Sequence, residues 1–513
     1  MKRRDVLQIL SAAALAPLVS QFPSRMLAAA PSGKNGRLGL NLAGASYWSS
    51  EQVFSNLAVN ASRWRVQLGQ MPFTWDTPLP PMTDDGYPKK IPPQAFLESF
   101  LIFTPYRKNL PVQLSLYYDG KGKIGYTNGA ELERRFPGRD DVRNMRKNEA
   151  FVARIVETDP DDPIRNIRLY ERGEMPTSAF RQPFLDRARD MSAIRFMDWM
   201  STNGSTVKQW SDRPKYGRFG NSDFGVPLEY MIDLCNTVKA EPWFNMPHQA
   251  DDDYVRQFAT QVRKDLSADL NVNVEYSNEV WNTFFGQYDY AASQGKALGL
   301  SNDEFQGAMM FYAKRATEII AIWEDVFGAD KERVIGVYGA QSANEWTSEV
   351  ILSYEGVKEH ADVLAIAPYF GNSLGDPERA NDVATWSLDR VFDALGQEVD
   401  GLNRETIGKQ VAIAAKYGVK LYAYEGGQHL VGHGGTENNE ALTKLFIAAN
   451  RDPRMGDLYL RHLKNWWAAG GDLYTLFTSM SEPGKWGSWG LLEYEGASTP
   501  KWDAAQKALH MEI

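Results

Sequence analysis

Residues 271–282 read NVNVEYSNEVWN. Valine alternates with polar residues from Val272 to Tyr276, the two-residue period of a strand. The run then closes on Ser277, Asn278 and Glu279, with Trp281 two residues on. Why a strand should end in an Asn–Glu pair and a large aromatic depends on what surrounds it.

From about residue 190 the chain repeats one pattern: a short β-rich apolar run, a polar loop, a longer helical segment. The β runs are 193–199 (AIRFMDW), 242–246 (PWFNM), 272–277 (VNVEYS), 333–339 (RVIGVYG), 363–370 (VLAIAPYF), 421–427 (LYAYEGG) and 473–478 (LYTLFT). Between them, 251–266 places Tyr254, Phe258 and Val262 on one helical face, and 225–238 carries Pro227 where a helix start tolerates proline. The segment 303–328 is a long helix ending at Gly328. Near-continuous apolar strands alternating with helices indicate a parallel sheet covered by helices. RLGLNLAG (37–44) supplies an eighth strand before the other seven. Eight βα units predict an α/β fold, a (β/α)8 TIM barrel, with its site at the C-terminal ends of the strands. The doubly wound alternative lacks a G-x-G-x-x-G after its first strand.

The interval from Ala45 to Ser192 is far longer than a βα connection requires. It holds short β runs, SRWRVQ (62–67), PVQLSLYYDGKGKIGY (111–126), FVARIVET (151–158) and IRNIRLYE (164–171), and DGKGK reads as a hairpin turn. Residues 45–192 are therefore expected to form a β-rich accessory domain inserted after the first barrel strand, on the catalytic face. The barrel is then 31–44 plus 193–513.

Residues 1–30 read as an export signal. Lys2, Arg3 and Arg4 precede an apolar run, Val6 to Val19, too short to span a bilayer, and Ala28 to Ala30 are small enough for cleavage. The paired arginines of RRDVLQ resemble a twin-arginine (Tat) signal. This predicts a periplasmic or secreted protein. The formal net charge of −9 becomes more negative once this basic segment is removed, which argues against nucleic acid or an anionic membrane surface as partner. The single cysteine, Cys235, sits in an apolar helical run and reads as a buried core thiol. With 15 Trp and 23 Tyr, several beside Gly, Asn or Asp, flat faces for sugar rings are available.

With 272–277 as the fourth strand, Asn278 and Glu279 stand in the barrel mouth. The seventh strand likewise ends in Glu425, so two carboxylates project into one cleft. Here the sequence resembles the clan A retaining glycoside hydrolases, over the barrel but not the insertion. The resemblance implies Glu279 as acid/base, Glu425 as nucleophile, and Asn278 on the sugar 2-hydroxyl. It also implies that Arg195 holds the nucleophile's charge, that His248 contacts sugar and that Tyr369 hydrogen-bonds the nucleophile. Trp281, Trp486 and Trp489 would be stacking platforms. Where the clan's eighth strand usually has Trp, this strand offers Phe477. A second Asn–Glu pair, Asn344–Glu345, begins five residues beyond the fifth strand and is less well placed.

The expectation is an exported retaining glycosidase acting on β-linked polysaccharide or oligosaccharide, endo-acting, with two Glu and no cofactor or metal. The rivals are a polysaccharide lyase, for which Arg195, Lys485 and His248 are the basic groups, and a non-catalytic carbohydrate-binding protein. A zinc hydrolase would want H-x-H or H-E-x-x-H and a serine hydrolase G-x-S-x-G; neither motif occurs. Asp251 to Asp253, beside His248, read instead as a helix start.

Overall fold

The structure is a computed structural model that describes residues 36–69, 74–103, 112–144, 149–220 and 224–511. The export signal read at 1–30 lies outside them. β1 (Leu38–Asn41) opens the barrel. The strands β2 (Arg65–Leu68), β3 (Ala95–Ile102), β4 (Val112–Asp119), β5 (Gly122–Asn128), β6 (Ala130–Phe136), β7 (Arg139–Asn144), β8 (Phe151–Thr158) and β9 (Arg165–Glu171) then intervene. The barrel resumes with β10 (Ala193–Arg195), β11 (Glu241–Met246), β12 (Val272–Tyr276), β13 (Val334–Gly339), β14 (Val363–Ile366), β15 (Lys420–Ala423) and β16 (Tyr474–Leu476). The barrel strands pair parallel in chain order, and β16 closes the ring on β1. The chain is a (β/α)8 barrel.

The strands begin within a residue of where the sequence places them, and β11 and β13 also end there, but the others end early. β10 stops at Arg195 rather than 199, β14 at Ile366 rather than 370, β15 at Ala423 rather than 427, and β16 at Leu476 rather than 478. Past these points the backbone leaves the ladder and turns into the barrel mouth, so the functional residues ride on strand-to-loop corners. Alternation divides each strand. On β12, Val272, Val274 and Tyr276 pack outward against the helices, while Asn273 and Glu275 are buried on the other face.

The intervening strands form two four-stranded antiparallel sheets, β2-β3-β8-β5 and β6-β7-β4-β9. Leu97, Ile124, Phe151 and Ile155 of the first share one apolar core with Leu114, Leu116, Val142 and Leu169 of the second, which makes a sandwich. The expected hairpin at DGKGK is not one, because β4 and β5 belong to different sheets. Lys121 bonds instead to the turn at 159–162, through Lys121 N to Asp162 O at 2.8 Å and Asp159 N to Lys121 O at 2.9 Å. A side chain on Gly120 would come within 2.2 Å of the Pro163 carbonyl. The glycines permit a close crossing between sheets rather than a two-strand turn.

The flanks of the insertion belong to the barrel: Val53, Phe54, Phe180, Phe184 and Ala188 join the barrel's apolar shell. Cys235 is buried in the helix Leu228–Val238, and burial pushes its thiol up. Asp251 caps the helix Asp252–Asp265, accepting from Tyr254 N. No helix among the described residues is long and apolar enough to cross a membrane.

Candidate active site

Arg195 ends β10 with its side chain fully buried, and its guanidinium organises the barrel mouth. Nε and Nη2 donate to the Glu275 carboxylate at 3.0 and 3.1 Å, Nη2 also to Asn278 Oδ1 at 2.8 Å, and Nη1 to Asn41 Oδ1 at 3.1 Å and Glu425 Oε2 at 3.3 Å. All five N–H groups are used. Glu275 also accepts from Trp243 Nε1 and Asn245 Nδ2, both at 2.8 Å. The second hydrogen bond of Asn245 goes to the Ser277 carbonyl at 2.8 Å.

That bond fixes the turn after β12. Ser277 and Glu279 both take positive φ, +60° and +43°, which side-chain-bearing residues seldom adopt. The local strain is held by the surrounding bonds and turns Asn278 and Glu279 into the mouth. Asn278 Nδ2 donates to Asn203 at 3.0 Å. Asn282 Nδ2 donates to Glu279 Oε2 at 3.1 Å and Tyr424 Oη to Oε1 at 3.1 Å. Tyr424 therefore links the acid at the end of β12 to its own neighbour Glu425 beyond β15. Tyr369 Oη donates to Glu425 Oε1 at 3.2 Å. Gly426 must follow Glu425, because a Cβ there would meet Tyr474 Oη at 2.2 Å.

Two buried carboxyls, Glu275 and Glu425, thus share one guanidinium, and the half-buried Glu279 lies within reach of its charge. Burial pushes all three upward, with Arg195 opposing it. For Glu425 the nearby charge of Glu279 adds to burial, so the pair holds its last proton well above the usual carboxylate range. Two repelling carboxyls in a site of this kind do not both ionise at neutral pH. Arg195 bonds Glu425 and not Glu279, so the charge is favoured on Glu425 and the proton on Glu279. One carboxyl of the pair then carries the proton and the other the charge.

The other expected residues fall unevenly around this centre. Trp489 packs edge-on against Tyr369 (5.8 Å) and Phe477 (5.9 Å), and Phe477 in turn meets Tyr369 at 6.5 Å. Trp486 is 67% exposed under the Lys485 ammonium. Trp281 is half-buried against the barrel's shell. His248 is buried, its Nε2 3.2 Å from the Gln249 amide and its ring edge-on to Tyr290; no hydrogen bond joins it to either glutamate. Burial lowers its imidazole. Glu345 opens the helix Glu345–Leu352 and pairs with Lys409, apart from the cluster.

Sequence reasoning passed over Asn41, Asn203, Asn245, Glu275 and Tyr424. A signal was present for three of them: Asn41, Asn245 and Glu275 are polar residues within otherwise apolar strands, costly unless partnered. Among the described residues no cluster of three or more His, Cys, Asp or Glu could hold a metal ion.

No protein-family model and no curated protein matches the chain. Solved structures do. A GH5-4 broad-specificity endoglucanase from Clostridium acetobutylicum is 13% identical, covering 66% of this chain and 91% of its own, with a TM-score of 0.38. A GH39 β-xylosidase from Caulobacter crescentus is 13% identical over 65% and 68% (TM-score 0.35). A GH51 arabinofuranosidase from Xanthomonas axonopodis pv. citri is 14% identical over 60% and 61% (TM-score 0.38), so this chain spans about three fifths of that enzyme's length. These are glycoside hydrolases by name, and the likeness is one of fold.

Proposed function

We propose that the chain is an exported retaining glycoside hydrolase of clan A that cleaves β-linked polysaccharide within the polymer by double displacement. The observation that carries this is the pair Glu279 and Glu425, set at the ends of strands facing each other across one barrel mouth and joined through Tyr424, with Arg195 on Glu425 alone. Glu425 attacks the anomeric carbon while Glu279 gives its proton to the leaving oxygen. In the second step Glu279, now ionised, takes a proton from water, the water oxygen attacks the glycosyl ester, and Glu425 leaves as carboxylate. Asn278 spends one amide hydrogen on Asn203 and keeps the other for the sugar 2-hydroxyl. Trp489, beside Tyr369, offers a ring face to the sugar held at the nucleophile.

Endo action fits a cleft with an open side and a sandwich residue, Phe103, on its wall. Export would place the enzyme in the periplasm or medium, with its polymer. The test is release of reducing ends from a panel of polysaccharides by the mature protein and by Glu425→Ala. Turnover should be lost by several orders of magnitude. Azide should then restore transfer from an activated β-glycoside, giving a glycosyl azide of inverted configuration. An active Glu425→Ala, or unsaturated uronate products, would overturn the assignment.

A further inference from the structure

The mouth opens on one side into a cavity of about 730 Å³ walled by the loops that follow β1, β10 and β16. It adjoins the glutamate pair rather than enclosing it. Phe477 and Trp489 line it and also pack on Tyr369, the donor to Glu425. Asn203 lines it and accepts from Asn278. In the ring of strands this sector is centred on β1, three strands round from β12 and Glu279, and no residue from 227 through 476 lines it. The acid faces the leaving group, so the cavity on the far side holds sugar on the glycone side of the cut.

Its charge is one-sided. Asp198 and Glu482 line the cavity, and among the described residues no lysine, arginine or histidine does. Arg195, three residues before Asp198, has no N–H left for a further carboxylate. The Asp198 carboxylate itself accepts no hydrogen bond from any described residue, although burial raises it from 3.8 to about 6. Asp198 is half-buried, so its carboxylate meets whatever fills the cavity rather than a described donor of the protein. Sugar hydroxyls would provide the missing donors, and a uronate carboxylate would meet only repulsion.

We propose that Asp198 is a specificity-determining residue of a glycone subsite, where its carboxylate grips the hydroxyls of a sugar unit free of carboxylates and rejects uronates. The inference rests on the glycosidase reading above and deepens it to a substrate class.

The experiment compares wild type, Asp198→Asn and Asp198→Ala at pH 7.5 on neutral β-glucan, β-mannan and β-xylan and on polyuronates. Thermal midpoints are recorded beside the kinetics. Wild type should cut a neutral polymer and no polyuronate. Both variants should lose about 10- to 100-fold in kcat/KM on that polymer, the value of a charge-assisted hydrogen bond. Their thermal midpoints should not fall, because the Asp198 carboxylate accepts no hydrogen bond from a described residue, so the loss cannot be one of folding. Unchanged kcat/KM in both variants, or preference of the wild type for a polyuronate, would overturn the proposal. If no polymer is cut, the glycosidase reading fails, and retention in affinity gels with the same polymers decides the subsite. Retention by a neutral polymer that Asp198→Ala abolishes supports it; retention by polyuronate, or by nothing, overturns it.

Discussion

Inside the sandwich, Leu114, Leu116, Val142, Ile155 and Leu169 pack with no exposed surface. In the barrel mouth, equally buried, stand Asn41, Arg195, Asn245 and Glu275. The first interior is non-directional, and its stability follows the apolar area removed from water. The second works only if every donor meets its acceptor, since each group left alone costs its full desolvation. The core of the insertion can therefore exchange one apolar side chain for another of like volume. The barrel mouth constrains each member through all the others, and this holds Glu279 and Glu425 in place with their protons distributed.

Replacing Arg195 by Met tests that contrast most severely. It strands Glu275 and Glu425 without their cation, so stability in urea should fall by about 3–5 kcal/mol and turnover should vanish. A loss under about 1 kcal/mol would mean the mouth behaves like the sandwich, as packing alone. Leu116→Ala probes the other side. A cavity in the sandwich should cost about 2–4 kcal/mol with kcat on the active polymer unchanged. A parallel fall in kcat would show that the two interiors are not separable.

The smallest effect sharpens the electrostatic half. Burial and mutual repulsion hold the one proton shared by Glu279 and Glu425 above the usual carboxylate range, so the pair's contribution to stability is fully present below about 4.5 and is lost as pH rises and that proton leaves. Glu425→Gln removes that loss. Its thermal midpoint should match wild type near pH 4 and exceed it by a few degrees at pH above 8. A constant offset across this range would place the titrating proton on another carboxyl.

Much of the barrel was legible because each strand is apolar on the face that meets the helices, and that pattern is local. The strand-end glutamates were legible for a related reason: a carboxylate closing an apolar run is costly unless used. The false hairpin at DGKGK shows where this stops. Period and turn residues describe β4 and β5 singly, and nothing in them states that one pairs with β7 and β9 and the other with β8. Likewise β3, β6 and β7 were not foreseen; β6 carries charged side chains on both faces and has no apolar alternation to reveal it. The early strand ends belong to the same limit, since Tyr369 and Glu425 sit in corners that read as strand.

The sequence alone determined which segments are strands of a helix-covered parallel sheet, and that Asn278, Glu279 and Glu425 end two of them. These follow from short-range periodicity and from the cost of burying charge. Only the tertiary structure decided that one guanidinium serves Glu275, Asn278 and Glu425 at once, that Tyr424 reaches Glu279, and that Asp198 lines a cavity beside them. Those depend on which strands become neighbours when the ring closes, and partners up to 230 residues apart are chosen by the packing of the whole barrel.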